Sequence, residues 1–232
     1  MASADAHRDR LPKLTYLDGK GVVEPIRVAL SIGGVAFEDE RVSYEEIRSR
    51  RALGLLPTGQ VPVLDLGDQE GPYSQSQALL RWAGRQSGLY PDELQLRCDI
   101  VCDTVVELTV KMGPWWYGAA LGRHPVTSEP AVHLTEEQRK EVALFLNDVL
   151  FPSRCADLER LLVRSGGPFF CGSRMTICDL SWWNFASPVL EGEYEAGGIS
   201  ARCLSACPQI CALVQRITDH PDVKAYYAER KG

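Results

Sequence analysis

The chain has 232 residues, 45% of them hydrophobic and 24% charged, with a net charge of −6. That length supports two modest domains or one large one, with enough apolar residues for a sizeable core. The acidic balance gives no general attraction to nucleic acid or anionic lipid, and no apolar run is long enough to span a bilayer.

In chain order, residues 1–10 mix charges with alanine and lack the apolar core of a signal peptide, so they are expected to be a frayed tail on a cytoplasmic protein. Lys13–Leu17 reads as a strand, and Pro25–Ile32 as a helix whose first turn accepts proline because that N–H has no helical partner. Phe37–Val42 alternates like a half-buried strand, Tyr44–Leu53 has helical composition, and Val61–Leu66 and Gln69–Tyr73 read as two strands joined at Gly67-Asp68. Ser76–Ser87 closes this half as a helix. The order β-α-β-α-β-β-α predicts a small α/β domain over residues 11–89, a βαβ unit followed by a hairpin.

Beyond Gly88-Leu89-Tyr90-Pro91 strand signals fade, and residues 94–232 are expected to form an all-helical domain. Leu94–Met112 predicts a long helix ending at Gly113-Pro114. Glu136–Val163 predicts another, opened by Thr135 and disturbed by Pro152. Thr176–Phe185, Pro208–Thr218 and Val223–Arg230 complete the set.

Eight cysteines (Cys98, Cys102, Cys155, Cys171, Cys178, Cys203, Cys207, Cys211) include no Cys-x-x-Cys pair, so neither a redox dithiol nor a common zinc motif is present. A chain this long needs no disulfide staples. Cys203, Cys207 and Cys211 recur every four residues, but Pro208 interrupts that register and no His cluster accompanies them. Buried reduced thiols and no metal are the expectation.

Four segments carry candidate chemistry. Tyr16 ends the first strand just before Asp18-Gly19-Lys20-Gly21, where a phenol either packs or donates into a cleft. In Gly59-Gln60-Val61-Pro62-Val63-Leu64 the proline removes a ladder donor, which suits a strand's first turn, either on an edge or after a cis bond that opens the Val61 backbone to a ligand. Gln75-Ser76 opens a helix, where free N–H groups and the macrodipole favour an anion, unless Ser74 or Ser76 simply caps it. Thr176 and Asp179 have capping-box spacing and are read as structural.

With His220-Pro221-Asp222-Val223-Lys224-Ala225-Tyr226-Tyr227 at the end, the order and spacing of these segments resemble the cytosolic glutathione transferases of the tyrosine type over about residues 11–230. The sigma class, which includes glutathione-dependent prostaglandin D synthases, is the nearest within them. The resemblance implies a thioredoxin-like first domain, a helical second domain and a homodimer that uses glutathione as co-substrate without a metal. It makes Tyr16 the catalytic tyrosine, Gln60, Val61 and Pro62 the cradle of the peptide, and Gln75 and Ser76 the holders of the γ-glutamyl carboxylate. Tyr44 and Arg48 fall where the family meets the glycyl carboxylate, displaced by an insertion around Arg51–Leu56. Asp99 matches the acid that reaches the neighbouring subunit's glutathione; it shares a helical face with Asp103 and Glu107, so a solvated acidic stripe is the other reading. Val22 stands where several sigma members have an arginine. Val22, Met112, Trp115 and Trp116 fall in the region of the electrophile pocket, with buried packing as the alternative for the tryptophans.

That reading predicts conjugation of the glutathione thiolate, activated by Tyr16, to hydrophobic electrophiles in detoxification. Its alternatives are a prostaglandin D synthase-like isomerase and a non-catalytic relative like the lens crystallins. A thioredoxin-type redox protein is disfavoured, because no cysteine ends the first strand.

Overall fold

Strand β1 (Lys13–Leu17) sits in the middle of the first half and is paired on both sides. It runs parallel to β2 (Glu38–Val42) and antiparallel to β3 (Val63–Asp65), which in turn pairs antiparallel with β4 (Tyr73–Ser74). The sheet order is therefore β2-β1-β3-β4. Helix α1 (Glu24–Ile32) makes the crossover between the parallel pair, α2 (Tyr44–Ala52) follows β2, and α3 (Ser76–Ser87) follows β4. The computed structural model describes residues 10–117 and 134–229.

Alternation along β1 sorts its side chains by face. Leu17 packs with Val42, Ile47, Leu56, Val61 and Val63, so α2 covers that side. Leu14 and Tyr16 point the other way, toward the side of α1. There α1 and α3 pack so closely that a side chain at Gly33 would strike the backbone of Ser87. Helix α2 starts with a full capping box between Ser43 and Glu46, and Arg50 grips Glu40 of β2 at 2.7 and 2.9 Å. That grip holds the Glu40 carboxyl down at about 2.

The helical half contains α4 (Gln95–Trp116), α5 (Glu136–Phe145), α6 (Phe151–Ser165), α7 (Ile177–Leu190), α8 (Pro208–Thr218) and α9 (Pro221–Glu229). Residues up to Pro91, joined by those from Ala225 on, form one compact unit; Asp92–Lys224 form the other. The last turns of α9 thus group with the sheet. Tyr227 donates to the buried carboxylate of Glu24 at 2.7 Å, a contact 203 residues apart in sequence. The overall plan, a small mixed-sheet domain and a helical domain, is the one the sequence predicts.

Prolines account for most differences in detail. The expected strand Val61–Leu66 shrinks to three residues because Pro62 has no N–H for the ladder. The expected strand Gln69–Tyr73 gives way to a turn in which the Asp68 carboxylate accepts from the N–H groups of Glu70 and Gly71, leaving only Tyr73–Ser74 paired. Helix α4 does not stop at Gly113-Pro114 but runs on to Trp116. There Trp115 is buried and donates its indole N–H to the Gly197 carbonyl at 2.9 Å, which offsets the cost of the interior proline. The expected single helix Glu136–Val163 is two, α5 and α6, joined through a π-helical turn at Leu146–Leu150 that brings Pro152 into the first turn of α6. Helix α7 continues past Phe185 to Leu190 despite Pro188.

One buried carboxylate anchors the helical unit. Asp179, wholly buried in α7, accepts from Phe170 N at 2.8 Å, Thr176 N at 2.7 Å and Thr176 Oγ1 at 2.9 Å. Burial pushes its carboxyl up to about 7, against the pull of those three donors. Replacing Asp179 with Ala strands the donors inside the core. Asp179→Ala is expected to cost about 3 kcal/mol and lower the melting temperature by roughly 6–12 °C, measured by calorimetry; a shift under 2 °C contradicts the anchoring role.

Candidate functional site

The strand registers decide what meets at one end of the sheet. Thr15 faces Val63, and Val63 faces Ser74. Carried one residue further, those antiparallel registers set Tyr16 beside Pro62 and Pro62 beside Gln75. In the parallel pair Leu17 faces Val42, so Tyr44 also follows from that end. Tyr16, Val61-Pro62, Gln75-Ser76 and the start of α2 therefore emerge together, although up to 60 residues separate them in the chain.

Tyr16 is held in a half-buried position by glycine and arginine. A side chain on Gly21 would come within 2.5 Å of the Tyr16 hydroxyl, so the turn backbone lies directly against the phenol, and φ at Gly21 is +49°. The Arg27 guanidinium lies over the Tyr16 ring, 5.9 Å from its centroid. Arg27 has no exposed surface. Its Nε donates to Asp39 Oδ1 at 2.9 Å, and its Nη1 donates to Gly19 O at 2.7 Å and Glu24 Oε2 at 3.4 Å. The chain of charge continues from Asp39 to Arg41 at 2.8 Å and from Arg41 to Asp18 at 2.7 Å. Both ends of the β1–α1 turn are thereby fixed to β2.

The second segment contains the cis peptide bond Val61–Pro62. Gln60 is exposed, Val61 half-buried and Pro62 buried. Just before it, Arg51 of α2 donates its Nε to the Gly59 carbonyl at 2.6 Å. In the third segment Gln75 has φ +80°, the one positive φ of a non-glycine among the described residues. Gln75 is the residue before α3, and its side chain makes no cap bond. Ser74 instead accepts from the Thr58 hydroxyl at 3.2 Å. The first N–H groups of α3, from Ser76 on, thus keep their capacity for an anion.

The remaining sequence-derived candidates sit as follows. Val22 is 41% exposed in the short turn before α1, and Tyr44 is 47% exposed at the start of α2. Arg48 is exposed on α2. Asp99, Met112, Trp115 and Trp116 all lie on α4 in the helical unit. Asp99 is half-buried, and in its stripe Glu107 pairs with Arg154 at 3.0 Å. Met112 and Trp115 are buried, while half-exposed Trp116 stacks edge-on against Tyr194 with centroids 4.9 Å apart.

Two residues beside the site carry weight that the motif reading did not give them. Arg27 had a signal: it is the one charge inside the apolar run Pro25–Ile32, and a buried cation requires carboxylates such as Glu24 and Asp39. Arg51 had none, since its partner is a backbone carbonyl that only the fold brings near.

Comparison with known proteins bears on this arrangement. Residues 124–230 match the family signature described as glutathione S-transferase, C-terminal domain. The chain is 26% identical to S-crystallin SL20-1 of Nototodarus sloanii over 94% of this chain and 96% of that protein. It is 27% identical to glutathione S-transferase 1 of Ascaris suum over the same shares of each. The structure of prostaglandin synthase D of Nilaparvata lugens superposes with a TM-score of 0.73 at 23% identity, covering 95% of this chain and 98% of that one, a likeness of fold. A family signature over residues 124–230 and relatives matched nearly end to end agree that the chain is similar to the glutathione transferases and S-crystallins, and the solved structure shares its two-domain fold.

Proposed function

We propose that this protein conjugates glutathione to hydrophobic electrophiles, with the Tyr16 phenol donating a hydrogen bond that holds the glutathione sulfur as a thiolate. The observation that carries this reading is the convergence of Tyr16, the cis Val61–Pro62 bond and the α3 N-terminus at one end of the sheet. A free thiol has a pKa of about 8.5. Lowering it by about two units takes about 2.7 kcal/mol. One hydrogen bond to a charged group contributes about 1.5–3 kcal/mol, so a single well-placed phenol suffices. With Val22 at the exposed turn where the resemblance places an arginine in several sigma-class members, Tyr16 is the principal side-chain donor.

In this reading Val61 offers its backbone to the peptide beside Gln60 and Pro62, and Gln75 with the leading N–H of α3 at Ser76 receives the γ-glutamyl carboxylate. Tyr44 and Arg48 serve the glycyl end. Arg51 sets the loop before Val61 through its bond to Gly59. The protein works as a cytoplasmic homodimer in which Asp99 serves the neighbouring subunit's glutathione. The resemblance assigns Val22, Met112, Trp115 and Trp116 to the electrophile; Val22 and Trp116 keep exposed surface, and Met112 and Trp115 are buried. The enzyme supplies activation and positioning, and glutathione supplies the nucleophile. An isomerase acting on an endoperoxide would use the same thiolate. The S-crystallin relative supports a competing, non-catalytic reading. Retention on glutathione-agarose without turnover of chlorodinitrobenzene or an endoperoxide would favour it.

Three substitutions test the roles separately. Tyr16→Phe lowers kcat for chlorodinitrobenzene conjugation at least tenfold while glutathione still binds; near-normal turnover removes Tyr16 from its role. Gly21→Ala displaces the phenol, and steady-state kinetics should show a loss of similar size in a protein with an unchanged circular dichroism spectrum. Arg51→Ala releases the Gly59 carbonyl and is expected to weaken glutathione binding about fivefold by calorimetry, in line with about 1 kcal/mol for one hydrogen bond. An unchanged Kd would show that the loop needs no brace.

A further inference from the structure

Three sulfurs from two distant stretches of the chain meet inside the helical unit. Cys98 lies in the first turn of α4, Cys171 in the turn between α6 and α7, and Cys178 in the first turn of α7. Their Sγ atoms all lie within 4.8 Å of one another, and the Cys98–Cys171 pair is 3.7 Å apart. Cys98 and Cys178 are wholly buried, and Cys171 keeps 7% of its surface. No histidine or carboxylate joins the group among the described residues.

The surroundings fix this cluster. The turn that carries Cys171 is closed by the bridges Phe169–Gly172 and Cys171–Arg174. Asp179 ties Phe170 on one side of Cys171 to Thr176 at the head of α7. The Thr176 hydroxyl lies 3.1 Å from Cys178 Sγ.

We propose that Cys98, Cys171 and Cys178 form a three-coordinate thiolate site for one soft cation, Cu(I), distinct from the Tyr16 chemistry. Sulfurs bound to one metal at about 2.3 Å stand roughly 3.8–4.0 Å apart, which the 3.7 Å pair already approaches. The other pairs need to close by no more than about 1 Å. Thiolate donors select Cu(I) and Zn(II) over hard cations. Zn(II) takes four ligands, and this buried group supplies three. A disulfide would need only two of the sulfurs, drawn together to about 2.05 Å. Binding involves no electron transfer: the cation replaces the protons of the thiols that are not already ionised, and those protons leave to solvent. Cys171, which keeps some exposed surface, is the route of entry. By contrast, burial pushes the half-exposed Cys211 thiol up to about 11, and its sulfur lies beside the Leu204 carbonyl at 3.5 Å.

The test uses the full-length, fully reduced protein, titrated anaerobically with Cu(I) buffered by bicinchoninate. One equivalent should be retained by native mass spectrometry, with an ultraviolet thiolate-to-copper band and a rise in melting temperature. Cys171→Ala and Cys98→Ala should each weaken retention at least a hundredfold, while Cys211→Ser leaves it unchanged. Cys171→Ala removes the least buried of the three and is the variant expected to stay folded; wild-type stoichiometry decides the matter without any variant. The proposal is overturned if no copper is retained, if retention follows Cys211, or if Co(II) binds stoichiometrically with the spectrum of a four-coordinate thiolate site. It is also overturned if glutathione disulfide links Cys98 to Cys171 in protein that retains no copper.

Discussion

The first unit depends on a buried cation. Arg27 sits on α1 with no exposed surface, and taking a guanidinium out of water is costly unless it is paired and hydrogen-bonded. Its Nη2 finds no hydrogen-bond partner among the described residues, so its compensation comes from Asp39, Glu24, the Gly19 carbonyl and the face of Tyr16. Those four contacts belong to β2, the start of α1, the connecting turn and β1. One side chain therefore fixes the turn that brings Gly21 against the phenol. Tyr227 adds a donor to Glu24 from the chain's end, so the last helix contributes to the same electrostatic knot.

This knot braces the turn beside Tyr16 from both ends. Gln60, Gln75 and Tyr44, which the proposed function assigns to glutathione, are exposed, but each adjoins a segment held from inside the sheet. Arg51 holds Gly59, the Glu40–Arg50 pair holds α2, and the registers of β3 and β4 hold the other two segments. Under the proposed function, a phenol that must meet a sulfur within a few tenths of an ångström gains more from such bracing than from additional donors.

Much of this was legible in the sequence. Strand β1, helices α3 and α8 and the start of α2 fall where alternation, caps and proline placement put them, because local signals there agree with the fold. The misses lie where tertiary contacts overrule local rules. Pro114 and Pro188 end no helix, since packing around Trp115 and along α7 outweighs a missing N–H. Pro152, by local rules a disturbance inside one helix, instead opens a new one. At the candidate site, Tyr16, Val61, Pro62 and Gln75 stand out in the sequence because each lies at a motif boundary, and the strand registers bring those boundaries to one end of the sheet. Arg51 was invisible because its partner is a backbone atom eight residues away on a loop.

The cysteines show the same limit from another side. Spacing drew attention to Cys203, Cys207 and Cys211, yet these occupy a short turn, a helix cap and the helix itself, and so do not share one helical face. The trio that does converge is separated by 73 residues between Cys98 and Cys171, and a periodicity argument cannot see across that gap. Its geometry is set by Asp179, a residue the sequence marks only as a helix signal. The buried carboxylate that starts α7 and ties the Cys171 turn to the head of α7 also fixes where two of the three sulfurs sit. An element chosen for folding thereby preorganises a thiol cluster, and any cation that binds there stabilises the packing of α4 against α7 through mass action.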